Sequence, residues 1–516
     1  MASSPEAADP ARRLVLLASV FAVAVAGLVY ELVAGTLSTY LLGGSVTVFS
    51  LVIGLFLSAM GGGAWLAQYV DDGLERTFVL AELALAAVGG SSALVLFAAF
   101  AWLGGGYVVA VAVVCVLTGA LVGLEIPLLL RILERRTEVR VAVSQVLALD
   151  YVGALAGSVA FPLLLLPHLG LVRAAAFVGL LNAAVAGWAL HALRDRVPQR
   201  GSLAAGTVLV AGLLGGLMVG GGGLTTWIED QLYDDHVILA RQTPYQRIVV
   251  TRWRDDVRLF LDGHLQLSTR DEYRYHEALV HPAMAAARAP VRVLVLGGGD
   301  GLGVQRVLLH PGVREVDLVD LDPAVVELFS GDGPLAEVSG HALDDPRVTI
   351  HATDAVRFLE KSERQWDVVI MDLPDPHDPA LARLYARTTF RLALQRLADD
   401  GALVTQATSP FHAPEAYWCI VQTLEAAAAD LPVPRRVHPG FVEVPSFGTW
   451  GVALAAPLDV DPGAREVVVP TRFLDATALR TMWQLPGDLS RREVEVNTLG
   501  TAVLARYYRR GWMGWQ

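Results

Sequence analysis

The chain has 516 residues, 54% of them apolar, and its mean hydropathy of +0.47 is too high for a soluble protein of ordinary composition. A formal net charge of -12 supplies no basic face, so nothing in the composition points to a nucleic-acid partner. The two cysteines, Cys115 and Cys419, have no local partner, which argues against a disulfide framework or a cysteine metal site.

The apolar excess lies before about residue 225. Arg12 and Arg13 precede an apolar run from Leu14 to about Gly35, longer than the core of a cleaved signal and followed by more such runs. A retained membrane anchor is therefore expected. Seven spans are predicted, at 14–35, 45–69, 78–102, 106–130, 149–167, 171–193 and 203–224, each near the ~20 apolar residues that cross a bilayer. Pro167-His168-Leu169-Gly170 reads as a tight connection between the fifth and sixth. Arginines cluster before the first span, at Arg131, Arg135, Arg136 and Arg140, and at Arg194, Arg196 and Arg200. The positive-inside rule then sets the N-terminus in the cytoplasm, and an odd number of spans sets the remainder outside. Four acids fall within the spans: Glu31, Glu82, Glu125 and Asp150. A carboxylate in hydrocarbon is costly, so such a residue faces a partner or a polar path, or sits at a helix end. The polar-path reading, a passage or sensing site for a cation such as a polyamine, applies more to Glu31 and Glu125, and the helix-end reading to Glu82 and Asp150, which lie near predicted termini.

Beyond the spans the pattern changes twice. Residues 237–268 alternate apolar and polar, which predicts short antiparallel strands with turns at Arg254-Asp255-Asp256 and Asp262-Gly263. From 291 onward, buried apolar strands alternate with helices, the signature of a doubly wound, mostly parallel sheet. Three regions result: 1–225 as a multi-pass helical domain, 226–285 as a small β domain, and 286–516 as a Rossmann-like α/β domain with a tail.

The chemistry collects at strand ends. Gly297, Gly298 and Gly299, followed by Asp300 and Gly301, come directly after the strand Val291–Leu296, a turn that lets a ligand approach the backbone. The next strand ends in Asp320, about 20 residues on, where an acid can bind a ribose diol. Thr353-Asp354-Ala355 follows the third strand and suits adenine edge contacts, and the fourth ends in Asp372-Leu373-Pro374-Asp375-Pro376. His264, His276 and His281 are spread over a strand and a helix start, so no metal site is expected.

Residues 230–455 resemble the spermidine synthase (polyamine aminopropyltransferase) family. The resemblance rests on YQRI at 245–248, LDGHLQLSTRDEYRYHEALVHP at 261–282, GGGDG at 297–301 and the D-x-x-D of 372–375. Coupling to an N-terminal multi-span region resembles the family's membrane-bound branch. It implies transfer of an aminopropyl group from decarboxylated S-adenosylmethionine, a co-substrate, to putrescine or a related polyamine. No permanently bound cofactor is implied. By the same resemblance Gln246, Asp320, Asp354, Ala355 and Pro379 contact the nucleoside. Gln266, Tyr275, His276, Asp300 and Asp375 line the amine side, Asp372 is the base, and a homodimer or higher homo-oligomer is expected.

The residues agree with that chemistry. A diamine is a dication at neutral pH, so a site must hold one ammonium and deprotonate the other, which carboxylates at two distances can do. Two departures touch the amine pocket: Leu373 and Pro374 replace small hydroxyl residues, and Val444-Pro445-Ser446-Phe447 replaces an aromatic contact. A methyltransferase of the same fold, and a polyamine transporter or sensor with a non-catalytic nucleoside domain, are the alternatives. The resemblance implies a multi-pass protein of the cell (inner) membrane with its catalytic half in the cytoplasm, where the co-substrate is made. The arginine distribution agrees if one segment is re-entrant or split. The tail 504–516 mixes arginines with Tyr and Trp, and either rests on an anionic membrane surface or packs on the soluble half.

Overall fold

A computed structural model describes residues 10–42, 46–103, 106–134, 138–193, 195–229 and 235–515. Arg135, Arg136 and Arg194 of the orienting clusters lie outside these residues. The chain divides into two compact units, Met1–Thr251 and Arg252–Gln516.

The first unit holds α1 (Pro10–Leu42), α2 (Val46–Leu66), α3 (Leu74–Leu103), α4 (Tyr107–Glu134), α5 (Val139–Ala160), α6 (Leu166–Ala192) and α7 (Arg200–Glu229). Among the described residues six segments are long and apolar enough to cross a membrane, the fifth being Val139–Ala192 with 54 residues. A straight helix of that length would measure about 80 Å, against about 30 Å of hydrocarbon. It is interrupted instead, by a π-helical turn at Phe161–Leu165 and by Gly170 at φ 71°, ψ 176°. The seven predicted spans and the six segments differ only here, where the sequence placed its Pro167–Gly170 connection.

Helix directions follow from close approaches. A Cβ on Gly153 of α5 would lie 2.7 Å from the Phe21 oxygen, and one on Gly157 would lie 3.0 Å from the Val25 oxygen, so α5 runs parallel to α1. The end of α3 (Ala93, Leu96, Phe97) shares a core with the start of α6 (Leu171, Val172, Ala175). The start of α3 (Leu74, Phe78, Val79) packs with the end of α6 (Ala186, Ala189, Leu190), so these two are antiparallel. Both α1 and α3 have their N-terminal halves in one core and their C-terminal halves in the other, so they run the same way. The chain therefore reverses between α5 and α6. Glycine permits these contacts, since without a side chain it lets two helix backbones approach closely.

Two strands follow, β1 (His236–Gln242) in the first unit and β2 (Arg247–Trp253), which begins there and ends with the first residues of the second. The next are β3 (Asp256–Leu261) and β4 (His264–Ser268), an antiparallel pair within the second unit. Asp262 (φ 49°) and Gly263 (φ 80°) form the two-residue β3–β4 turn, both left-handed as the twist of a hairpin requires.

The second unit continues with α8 (Glu272–Ala286), β5 (Arg292–Gly297), α9 (Leu302–Leu308), β6 (Glu315–Asp320) and α10 (Pro323–Phe329). Next come β7 (Val348–Ala352), α11 (Ala355–Lys361), β8 (Trp366–Asp372), α12 (Pro379–Ala382), α13 (Arg387–Gln395) and β9 (Leu397–Gln406). It ends with α14 (Pro414–Ala429), β10 (Arg435–Val444), β11 (Gly448–Pro457), α15 (Ala476–Thr481) and α16 (Val503–Met513). The seven strands order as β10-β11-β9-β8-β5-β6-β7, with β9 to β7 parallel and β10 and β11 antiparallel. Trp366, Tyr385, Phe390 and Tyr417 fill the core on one face. Truncating a buried ring of this kind costs about 3–5 kcal/mol. The tail packs on this unit: α16 places Tyr507 and Tyr508 in the same core.

Candidate active site

In this sheet β5 is central, with β6 on one side and β8 on the other, so chain connections leave in opposite directions. A crevice opens at the carboxyl ends of such strands, and ligands of open α/β sheets bind there. The glycines after β5 are required by what faces them. A Cβ on Gly297 (φ 79°) would lie 2.0 Å from the Asp372 carbonyl oxygen. One on Gly298 (φ 66°) would lie 3.2 Å from Asp372 Oδ2, and one on Gly299 2.7 Å from Asp320 Oδ2.

Asp320 and Asp354 organise the expected nucleoside side. Gly299 N donates to Asp320 Oδ2 at 3.1 Å and Asp322 N to its Oδ1 at 2.9 Å. Burial, only partly offset by these bonds, pushes Asp320 up to about 6. Asp354 caps α11 by accepting from Arg357 N at 3.0 Å, and its other oxygen accepts from the Arg383 guanidinium. Ala355 is the first residue of that helix, and Pro379 the first of α12, which Asp378 caps through Leu381 N at 2.7 Å. Gln246 belongs to the first unit, in the β1–β2 turn, where its carbonyl accepts from Thr243 N at 3.0 Å.

On the expected amine side α8 brings two neighbouring side chains to Asp372 at the end of β8. Tyr275 Oη donates to Asp372 Oδ1 at 2.6 Å, and His276 Nε2 lies 3.9 Å from Asp372 Oδ2. His276 Nδ1 meets Glu272 Oε2 at 2.9 Å, and Glu272 Oε1 accepts from Arg306 at 2.8 Å. His276 is thus buried between carboxylates. Burial alone would lower it, but the Glu272 bond and the charges of Asp300, Glu272 and Asp372 raise it to about 9. At neutral pH it is an imidazolium. Burial raises Asp300, whose Oδ1 accepts from Leu302 N at 2.9 Å. Five carboxyl groups, on Glu272, Asp300, Asp320, Asp372 and Asp375, thus stand against the two cations of His276 and Arg306. Such a site attracts cations and holds them by charge-assisted hydrogen bonds.

Asp375 is set by groups distant in sequence. Tyr508 Oη donates to its Oδ2 at 2.8 Å and Gln406 Nε2 to its Oδ1 at 3.4 Å. Burial nevertheless raises it to about 6. Gln406 Nε2 also donates to the Leu373 carbonyl at 2.8 Å, and Tyr385 Oη to the Leu373 and Pro374 carbonyls at 3.1 and 3.0 Å. The loop between the two acids is held through its backbone, so its Leu and Pro side chains need not supply hydroxyl contacts. His377 stacks on His264 of β4 with ring centroids 4.5 Å apart, and Gln266 Nε2 donates to the His264 carbonyl at 3.3 Å. His264 is pushed down to about 4 by burial and then by His377. Phe447 lies 6.5 Å from Tyr275, centroid to centroid, and Ser446 Oγ donates to Asp271 at 2.7 Å.

Sequence reasoning missed Tyr508, Gln406, Tyr385 and His377. Only His377, two residues after Asp375, stood where a motif could have revealed it. Glu277 of α8 is buried and accepts from the N–H groups of Arg472, Phe473 and Leu474 at 2.8, 2.8 and 2.9 Å. Both thiols, Cys115 and Cys419, are buried and free.

Residues 272–456 match the spermine/spermidine synthase domain. The chain is 44% identical to polyamine aminopropyltransferase 1 of Ralstonia nicotianae, over 99% of this chain and 98% of that protein. It is 44% identical to the polyamine aminopropyltransferase of Leptospira interrogans, over 96% and 98% of the two chains. Identity to the enzyme of that name from Mycobacterium tuberculosis is 41%, over 97% of each. These similarities span the apolar helices as well as the catalytic half.

Proposed function

The chain belongs to the polyamine aminopropyltransferase family, and on that premise we propose that it moves the aminopropyl group of decarboxylated S-adenosylmethionine to putrescine or a related amine. The products are spermidine, or the homologous polyamine, and methylthioadenosine. The observation that carries this reading is the pairing of Asp372, held by Tyr275, with a second buried acid three residues on. Methyl transfer does not need a site for a two-ended cation, and this arrangement favours aminopropyl transfer over it.

Asp375 and Asp300 take the distant ammonium, and His276 keeps Asp372 oriented without neutralising the pocket. Asp372 accepts a proton from the near ammonium, which frees the nitrogen lone pair. The nitrogen lone pair then forms a bond to the propyl carbon next to the sulfonium. The carbon–sulfur bond breaks toward sulfur, which leaves as a neutral thioether. Alignment of nitrogen, carbon and sulfur supplies much of the acceleration, as much as 7–11 kcal/mol in well-oriented systems. Asp320, Asp354, Ala355, Pro379 and the glycines from Gly297 to Gly299 hold the nucleoside.

The six apolar segments support a multi-pass protein of the cell membrane, surrounded by lipid. The catalytic half is assigned to the cytoplasm on the supply of its co-substrate, and a reporter fused after Gln516 tests that sidedness. Purified full-length protein given decarboxylated S-adenosylmethionine and putrescine should release methylthioadenosine. Formation of S-adenosylhomocysteine from intact S-adenosylmethionine, with no methylthioadenosine, would overturn the assignment.

A further inference from the structure

The helical unit contains a second group of acids that the reaction above does not use. Glu82 of α3 and Glu125 of α4 are each 0% exposed, and Tyr30 of α1 is 2% exposed. Neither carboxylate has a hydrogen-bond or ion-pair partner among the described residues, and the Tyr30 hydroxyl is likewise unpaired. The three belong together. The start of α3 packs with the end of α4 (Leu128, Leu129, Ile132), and the end of α3 with the start of α4 (Tyr107, Val111), so Glu82 and Glu125 share one level. The Tyr30 ring lies against Gly89 of α3, where a Cβ would approach it to 2.5 Å. Its hydroxyl is within electrostatic reach of both carboxylates, and these act on each other. Gly179 of α6 meets α3 between Ala86 and Gly90. One turn further along the antiparallel α6, Asn182 is 0% exposed with both amide atoms unpaired.

Two buried carboxylates without a cation cost several kcal/mol, and burying unpaired hydroxyl and amide groups adds to that. Packing alone offers no return for placing four such groups on four helices. A donor-rich cation neutralises the carboxylates and supplies donors to the oxygens, while the Asn182 amide N–H group can donate only to a carboxylate. An ammonium presents three N–H donors to oxygen acceptors and gains from the face of an adjacent tyrosine. We propose that Tyr30, Glu82, Glu125 and Asn182 form a second amine site, within the helical unit, that binds the primary ammonium of a polyamine. The choice of amine over another cation rests on the aminopropyltransferase reading; the existence of the site does not.

The test is equilibrium binding of radiolabelled spermidine to the full-length protein in lipid nanodiscs, with methylthioadenosine release followed in parallel. The wild type should bind two equivalents per chain. Glu82→Gln with Glu125→Gln should bind one and retain wild-type transfer, which also reports that the catalytic half is folded. Tyr30→Phe, which removes only the hydroxyl, should weaken the second equivalent about 2- to 10-fold. One equivalent in the wild type, two in the double variant, or unchanged affinity in Tyr30→Phe overturns the proposal. Loss of the second equivalent in 100 mM sodium chloride, with no loss in an equal concentration of choline chloride, assigns the site to an alkali cation and overturns the amine. Absence of methylthioadenosine release with two equivalents bound would instead count against the transfer reaction alone.

Discussion

Tyr275 donates its hydroxyl proton to Asp372 Oδ1 at 2.6 Å, joining the first turn of a helix to the end of a strand 97 residues later. The same carboxylate has the His276 imidazole 3.9 Å from its other oxygen. One oxygen of the proposed base is therefore fixed by a neutral donor, while the other faces a cation. Tyr275→Phe removes the first restraint without changing the volume of the ring. We predict that kcat falls about 10- to 100-fold, in the range of a lost positioning contact on a general base. KM for decarboxylated S-adenosylmethionine should change less than about 2-fold, because the tyrosine stands on the proposed amine side. An unchanged kcat would remove Tyr275 from this role.

His276 makes stability depend on pH in a defined window. Its folded-state value of about 9 lies above the ordinary 6.5. The imidazolium therefore stabilises the folded chain fully below 6.5, and that contribution disappears as pH rises through about 9. The loss is on the order of 1–3 kcal/mol. Thermal unfolding of the detergent-solubilised protein should show a midpoint that drops between pH 6.5 and 9.5, and His276→Gln should flatten the decline. A variant with the same slope as the wild type would refute the assignment.

Asp375 carries the opposite consequence. Its folded value of about 6 lies above the ordinary 3.8, so the ionised form is disfavoured by folding at every pH above that window. Asp375→Asn keeps an acceptor for Tyr508 and removes the buried charge. Stability at pH 7.5 should rise by on the order of 1–3 kcal/mol, while KM for putrescine rises at least about tenfold. Denaturant titration and initial rates measure the two together. A variant that is both less stable and fully active contradicts the account.

The tail acts on the same acid. Tyr508→Phe removes the 2.8 Å bond to Asp375 Oδ2 and leaves the buried ring in place. It should raise KM for the amine about 3- to 10-fold with little change for the nucleoside substrate. Deleting residues 503–516 should instead destabilise the catalytic half, since Val503, Leu504, Tyr507 and Tyr508 belong to its core. Equal effects on both substrates from Tyr508→Phe would show that the tyrosine only packs.

Gly297→Ala tests the crevice itself. The added methyl would sit 2.0 Å from the Asp372 carbonyl oxygen at a residue with φ of 79°. Both the collision and the left-handed backbone act against it. The loss of transfer should exceed about 100-fold, with a lower unfolding midpoint. Near-normal activity would mean that the β5 and β8 ends are not packed as described.

Periodicity and strand-end chemistry made much of this protein legible. Long apolar runs need no tertiary information to be recognised, because covering a bilayer or filling a bundle requires about the same length everywhere. The parallel sheet followed from buried runs alternating with helices. Asp320, Asp354 and Asp372 followed from their places at the ends of β6, β7 and β8, since a sheet aligns its strand ends whatever the loops do. Other matters depended on which segments meet. That Gly170 breaks one apolar stretch and sends α6 back along α3 is set by helix packing, because a glycine can either continue a helix or leave it. That Tyr508 and Gln406 reach Asp375 depends on contacts across 133 and 31 residues, which local patterning does not encode. The directions in which His276 and Asp375 titrate arise from the balance of burial against neighbouring charge, and that balance exists only once the chain has folded.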